Sequence, residues 1–374
     1  MGHYKISDVV MEINERENTP ANSKYERFVG LEHYISGDVI IRNYGSTELL
    51  ESSMKVFHSG DILIARRNVY LKRASMVDFD GLTSGDSIVL RAKDPVIGRI
   101  LPFVLNTDAF WDFADQYSDG TMSKRLSPKT LMTYEFDLPD EDLEQFADVL
   151  WAANDTKEAY QELLRQTDEL VKSQFIEMFG DLNDNPKGWQ LRKFSEVAKV
   201  DGTMTKDYEA YANFPHIGID SIEKNTGTLS GYRTVKEDNV ISPKYYFCSK
   251  HILYSKIRPA LNKVAIPDFE GLCSADCYPI LTINGWCERK FLAHIMRTDF
   301  FLGYILSYSG RSQMPKVNRK QLEGFTFPCP PIELQKEFLK VIEQSDKSKY
   351  YIQMGKKRID KEKNRCLMKT ILNN

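Results

Sequence analysis

Three observations predict that these 374 residues form an α+β protein, two pseudo-symmetric domains separated by two long antiparallel coiled-coil spacer helices. The first is a repeat. Asp78-Phe79-Asp80-Gly81-Leu82-Thr83-Ser84-Gly85-Asp86 returns as Asp268-Phe269-Glu270-Gly271-Leu272-Cys273-Ser274-Ala275-Asp276, with six of nine positions identical. Lys5-Ile6-Ser7-Asp8-Val9 returns as Lys193-Phe194-Ser195-Glu196-Val197, and Val29-Gly30-Leu31-Glu32 as Ile217-Gly218-Ile219-Asp220. Leu131, Tyr134, Phe136 and Pro139 return as Leu322, Phe325, Phe327 and Pro330. The offset drifts from 188 through 190 to 191 in chain order, as it does between two copies of a domain after single-residue insertions. A repeat this long is no solenoid and gives a two-fold pseudo-symmetric molecule.

The second observation is a heptad seam after each copy. Leu143, Phe146, Leu150, Ala153, Tyr160, Leu164, Val171 and Met178 fall on alternating three- and four-residue steps, with Lys157, Thr167 and Gln174 as gaps. Leu334, Phe338, Val341, Ile352, Ile359 and Cys366 continue a less regular seam, which Gly355 is expected to weaken. The third is charge. Residues 137–181 hold thirteen Asp/Glu against Lys157, Arg165 and Lys172, whereas residues 336–374 hold eleven Lys/Arg against five Asp/Glu. Opposite charge on the equivalent helices of two repeats predicts that they pair, antiparallel. The formal net charge of −3 conceals this asymmetry.

Taken in order, the first domain covers residues 1–138. Val39-Ile40-Ile41, Ile62-Leu63-Ile64 and Ser87-Ile88-Val89-Leu90 read as strands between Gly- and Asp-containing turns, and Leu101 to Phe113 reads as helix. The first spacer helix spans 139–181 and starts near Pro139, where proline favours a helix start. Leu182 to Trp189 is a breaker rich in Asn, Pro and Gly, with Trp189 as a core anchor for the second domain, residues 182–329. There Ile252-Leu253-Tyr254 and Tyr278-Pro279-Ile280-Leu281 repeat the strands, and Phe291 to Leu306 repeats the helix. The second spacer helix, 330–374, starts at Pro330-Pro331.

Composition is that of a globular chain, 42% hydrophobic and 28% charged. No run of 18 apolar residues and no signal peptide at Met1-Gly2-His3-Tyr4-Lys5 leads to the expectation of a cytoplasmic protein without a membrane partner. All six cysteines lie in the second half, so a disulfide framework does not belong to the shared fold. Cys273, Cys277 and Cys287 have loose zinc-like spacing, but Cys273 and Cys277 stand where the first copy has Thr83 and Ser87, so no metal site is expected. No phosphate-binding Gly-x4-Gly-Lys, His-Glu-x-x-His or Gly-x-Ser-x-Gly motif occurs. Pro267-Asp268-Phe269-Glu270 opens like a carboxylate nuclease site, yet no Glu-x-Lys follows. No catalytic residue is assigned.

Gly310-Arg311-Ser312-Gln313-Met314-Pro315-Lys316-Val317-Asn318, then Leu322 and Phe327-Pro328-Cys329-Pro330-Pro331-Ile332-Glu333-Leu334-Gln335, resembles the conserved region of type I restriction-modification specificity subunits. Ser173 to Asp181 resembles the central region of that family, and the likeness runs through the whole chain. The first copy departs from it, with Leu138-Pro139-Asp140-Glu141-Asp142-Leu143-Glu144-Gln145 where the second has Pro-Pro-x-x-x-Gln. The resemblance implies two target-recognition domains, each reading half of a bipartite, asymmetric site on double-stranded DNA. It further implies two adenine-modification (methyltransferase) subunits and a restriction subunit as partners. S-adenosylmethionine, ATP and Mg would then belong to those partners, with no cofactor in this chain. The candidate DNA contacts are matched basic clusters: Arg66, Arg67, Asn68, Lys72 and Arg73 align with Lys256, Arg258, Asn262 and Lys263, and Lys124 and Arg125 lie near the equivalents of Arg311, Gln313 and Lys316. A self-contained nuclease or methylase, or a protein-binding scaffold, are the alternatives.

Overall fold

The computed structural model describes residues 2–120, 123–140, 142–308 and 315–371. It divides into two compact units, Met1–Glu162 with Ile352–Asn374, and Leu163–Tyr351. Both boundaries fall inside a long helix, so each unit contains the beginning or end of both.

In the first unit a four-stranded antiparallel sheet runs in the order Val10–Glu12, Ser87–Ala92, Ile62–Ala65, Ala74–Met76. Alternation along these strands assigns the faces. Ile62, Ile64, Ile88 and Leu90 point into a core shared with Leu101, Phe103, Phe110 and Trp111 of the short helices. Leu63, Ala65 and Val89 point the other way, into a core shared with Val29 and Phe57 of a five-stranded sheet. Burial of both faces is why these strands read as continuous apolar runs.

The second unit repeats this in the same strand order: Ala198–Val200, Cys277–Thr282, His251–Ser255, Val264–Ala265. Register is kept as well, Leu90 opposite Ile62 and Ile280 opposite Ile252. The repeated glycine has a steric cause in both copies. A Cβ on Gly81 would lie 2.6 Å from the Arg27 carbonyl oxygen and from the Phe57 ring; on Gly271 it would lie 2.5 Å from the Pro215 carbonyl oxygen and 2.8 Å from Phe247.

Two expectations need correction. Val39-Ile40-Ile41 is no strand: only Ile40 bridges, to Met76, while Val39 and Ile41 are buried in different cores. The stretch from Leu101 to Phe113 is two helices, Pro95–Val104 and Asp108–Gln116, and its counterpart is Arg289–Ile295 and Asp299–Ser307. The break is an N-cap in each copy, Thr107 Oγ1 accepting from the Phe110 N–H and Thr298 Oγ1 from that of Phe301. Threonine followed by aspartate was the available signal.

The long helices are Leu143–Phe179 and Ile332–Ile371. Every predicted seam position of the first helix, including Lys157, Thr167 and Gln174, is at least partly buried. Within the first unit Tyr160 lies beside Gly355, and Ala147 and Leu150 share a core with Leu367. Within the second, Phe175 and Phe179 surround Phe338 with ring centroids 5.3 and 5.5 Å away, and Asp168 pairs with Lys349. Residue numbers ascend on one helix as they descend on the other, so the helices run antiparallel. The side chain of Cys366 lies outside the described residues. Trp189 is only half-buried; its indole N–H donates to the Phe179 carbonyl, 3.0 Å away, and caps the end of the first helix.

Gly355 does not weaken the seam. A Cβ there would come within 2.8 Å of the Tyr160 ring, so the glycine is the notch that receives it. Gly→Ala inside a helix ordinarily stabilises by about 1 kcal/mol. Here Gly355→Ala is expected to lower stability by about 1–2 kcal/mol through overpacking, and Tyr160→Leu to restore it. Chemical denaturation of the two single variants and the double variant measures this.

Candidate nucleic-acid interface

The matched basic clusters occupy one turn, present in both units. After the strand Ile62–Ala65 the chain passes Arg66 and Arg67 and makes a short 3-10 turn, Val69–Leu71, between Asn68 (φ 55°) and Lys72 (φ 48°). Its twin, Pro259–Leu261, lies between Arg258 (φ 48°) and Asn262 (φ 45°). Non-glycine residues in the left-handed region are uncommon and carry strain, and two at the same places in both copies mark a shape held by its surroundings. Val69 and Pro259 are buried plugs beneath it.

A second segment clamps each turn. The Asn68 N–H donates to the Lys124 carbonyl and the Leu126 N–H to that of Arg66; in the twin, Arg258 N–H donates to Pro315 and Val317 N–H to Lys256. Arg67 bridges Arg125, as Ile257 bridges Lys316. The aspartate that ends the repeated nonapeptide sits between the strands. Asp86 accepts from Arg67 at 3.2 Å and Arg125 at 2.9 Å, while Asp276 lies 3.8 Å from the Lys256 ammonium and 3.6 Å from that of Lys316. Two cations on one carboxylate leave a net positive charge, with the side chains of Arg67 and Arg125 44% and 46% exposed.

Thus Arg66, Arg67, Asn68, Lys124 and Arg125 come together, as do Lys256, Arg258 and Lys316. Several candidates are already engaged within the protein. Arg73 donates to the carbonyls of Leu31 and Arg67, and burial lowers its guanidinium pKa. Lys263 donates to the Ile219 carbonyl and buried Asn262 to that of Arg297. Lys72 pairs with Asp108 at 2.6 Å and Lys124 with Asp115 at 2.6 Å. Arg311 and Gln313 lie outside the described residues. Sequence reasoning missed Asp86 and Asp276 as clamps, though their place at the end of the repeat was a signal. It also missed Tyr70, 64% exposed at the tip of the first turn.

The three cysteines with zinc-like spacing do not converge on one point. Cys273 and Cys277 are buried in one core and Cys287 in another. Thr83, which Cys273 replaces, donates to the Val29 carbonyl at 2.7 Å, so the position holds a small buried side chain in either copy. Among the described residues no group of His, Cys, Asp and Glu is arranged to hold a metal ion, and no helix is long and apolar enough to cross a membrane.

The second unit meets its long helix through Gln335, which is fully buried. Its Oε1 accepts from the Glu288 N–H at 2.9 Å, and its Nε2 donates to the carbonyls of Trp286 at 3.0 Å and Pro330 at 2.8 Å. The first unit uses other anchors: Trp151 Nε1 donates to the Arg99 carbonyl, and Arg99 pairs with Asp148 at 2.6 Å.

Residues 186–359 match the model of the type I restriction modification DNA specificity domain. The type I restriction enzyme EcoDI specificity subunit of Escherichia coli is 38% identical over 164 residues, 44% of this chain and 36% of that protein. The match thus spans well under two thirds of that relative. A crystal structure of the S subunit of a type I restriction-modification system from M. genitalium shares the fold across 100% of this chain and 96% of its own, at a TM-score of 0.60 and 11% identity. The second half of the chain thus matches the DNA specificity domain of type I restriction-modification systems, and the fold of that half is repeated in the first.

Proposed function

We propose that this chain reads a bipartite, asymmetric DNA sequence for a type I restriction-modification complex, one half-site per domain, without catalysing a reaction itself. The observation that supports this best is the pair of clamped turns, identical in backbone and different in side chains. One scaffold presenting Arg67, Asn68, Tyr70 and Arg125 in one copy and Arg258 and Lys316 in the other suits two unlike half-sites. The partners would be two modification subunits and a restriction subunit, supplying S-adenosylmethionine, ATP and Mg, and the complex would act on chromosomal DNA in the cytoplasm.

The test is to co-express the chain with its modification subunit and map adenine methylation across the host genome. A single interrupted motif is expected. Turnover of DNA by the isolated chain with Mg and S-adenosylmethionine would overturn the non-catalytic reading. For the turns, Arg67→Ala and Arg125→Ala should each reduce the slope of log affinity against log salt by about 0.9 for every phosphate no longer neutralised. Arg258→Ala tests the second turn in the same way, whereas Lys263→Ala would mix folding with binding because Lys263 is held by the Ile219 carbonyl. An unchanged slope would remove that turn from the interface.

A further inference from the structure

Beside the clamped turn of the first unit lies a group of cations with too little negative charge to match. Arg16 and Lys55 face each other on antiparallel strands, so their side chains leave the same face of the five-stranded sheet. Lys55 is only 6% exposed, and its ammonium lies 3.8 Å from Glu12 Oε1, too far for a hydrogen bond. Burial lowers the Lys55 pKa, and the charges of Arg66 and Arg16 lower it further while Glu12 offsets part. The Nε of Arg66 is itself buried without a hydrogen-bond partner. Buried charges are normally paired, so buried Lys55 with one distant carboxylate, the unpartnered Arg66 Nε and the exposed Arg16 beside them describe a place suited to an anion.

The fold does not require this arrangement. At the same register the second unit has Met204 opposite Tyr245. Lys256, the counterpart of Arg66, has its ammonium 5.1 Å from the centroid of the Tyr278 ring and 3.8 Å from Asp276.

We propose that Arg16, Lys55 and Arg66 form a site for one backbone phosphodiester of duplex DNA, present in the first domain and absent from the second. The proposal rests on the DNA-reading function above and adds to it an asymmetry: the first half-site is gripped at one phosphate more than the second. In the free protein Glu12 loosely tethers Lys55; a phosphate oxygen would take the ammonium in its place.

The experiment uses the full chain assembled with its modification subunit and a duplex carrying the mapped site. Arg16→Ala and Lys55→Met should each weaken binding about three- to tenfold near 0.15 M salt and lower the salt slope by about 0.9, whereas Met204→Ala should leave the slope unchanged. Lys55→Met should also raise the melting temperature without DNA, because it removes a poorly paired buried charge. A purely structural lysine would give the opposite sign. Specific DNA binding with unaltered slopes in both Arg16→Ala and Lys55→Met overturns the phosphate site and leaves the DNA-reading function standing. No specific binding by the unsubstituted assembly removes both. Should millimolar inorganic phosphate raise the melting temperature of the unsubstituted chain and not of Lys55→Met, with equal DNA slopes, the site serves a free anion and the proposal fails.

Discussion

Gln335→Ala is expected to destabilise the second unit by about 3–5 kcal/mol, since it strands several buried polar groups at once. The Glu288 N–H and the carbonyls of Trp286 and Pro330 all lose their side-chain partner. Volume is not the main issue, so Gln335→Met should recover little. Gln335→Glu keeps an acceptor for the Glu288 N–H, but places a charge against two carbonyl oxygens in a fully buried position and should be at least as damaging. At about 2–4 °C per kcal/mol for a unit of this size, the melting transition should move down by roughly 10 °C. Hydrogen exchange localises the effect: faster exchange is expected at Glu288 and the first turns of the helix Ile332–Ile371, and not at the Arg99–Trp151 anchor of the first unit. A melting point within about 2 °C of the unsubstituted chain would mean that the glutamine is replaceable by water or by relaxation of the loop.

The same glutamine shows what the sequence made legible and what it did not. Its motif was visible, and so was the resemblance that the motif carries; its partners were not, because Trp286 and Glu288 lie 49 and 47 positions away. The repeat was legible for a physical reason, since Gly81 and Gly271 each face a phenylalanine ring and a neighbouring carbonyl that exclude any side chain. The seam was legible through its steps of three and four. Lys157 looked like a gap because Asp38, which pairs with it, comes from outside the helices, whereas Asp168–Lys349 is a pair between the acidic and basic helices of the kind their charges predict. The opposite charges of the helices predicted a partner correctly, but apolar packing of Phe175 and Phe179 around Phe338 holds the second unit's share of the pair.

Basic clusters were the least informative feature to read. Counting cations found the turn and could not separate side chains open to a partner from those already engaged by the protein. Lys72, Lys124, Lys263 and Asn262 are held by Asp108, Asp115, Ile219 and Arg297, and nothing in their local sequence announces this. Conversely Lys55, inside the apolar strand Met54–Phe57, carries a signal that cluster counting overlooks. A charged residue in a buried strand needs a partner, and here the partner inside the protein is weak.

On the proposed DNA-reading function, shortening the helix pair should move the two halves of the methylated sequence closer together. Removing residues 155–161 takes two turns, about 10 Å, from the first long helix while keeping its heptad phase. Alone, this deletion should abolish activity, because Gly355 and its neighbours then face helix that has lost Tyr160 and everything beyond is displaced by two turns. A matching deletion of residues 352–358 removes the opposing stretch, Gly355 included, and should restore pairing. Activity of the doubly shortened chain with its modification subunit should then map to the same two half-sites with a shorter spacer. The reduction is bounded at about three base pairs by the 3.4 Å rise of the duplex. Each base pair removed also rotates one half-site about the DNA axis by roughly 34°, whereas a heptad rotates the helix pair by only about 20°, so a spacer shorter by one or two pairs, with weaker binding, is the expected compromise. Methylation by a folded, doubly shortened chain at the original spacing would show that the helices do not set the distance. The separation would then have to be fixed by the partner subunits or by the DNA.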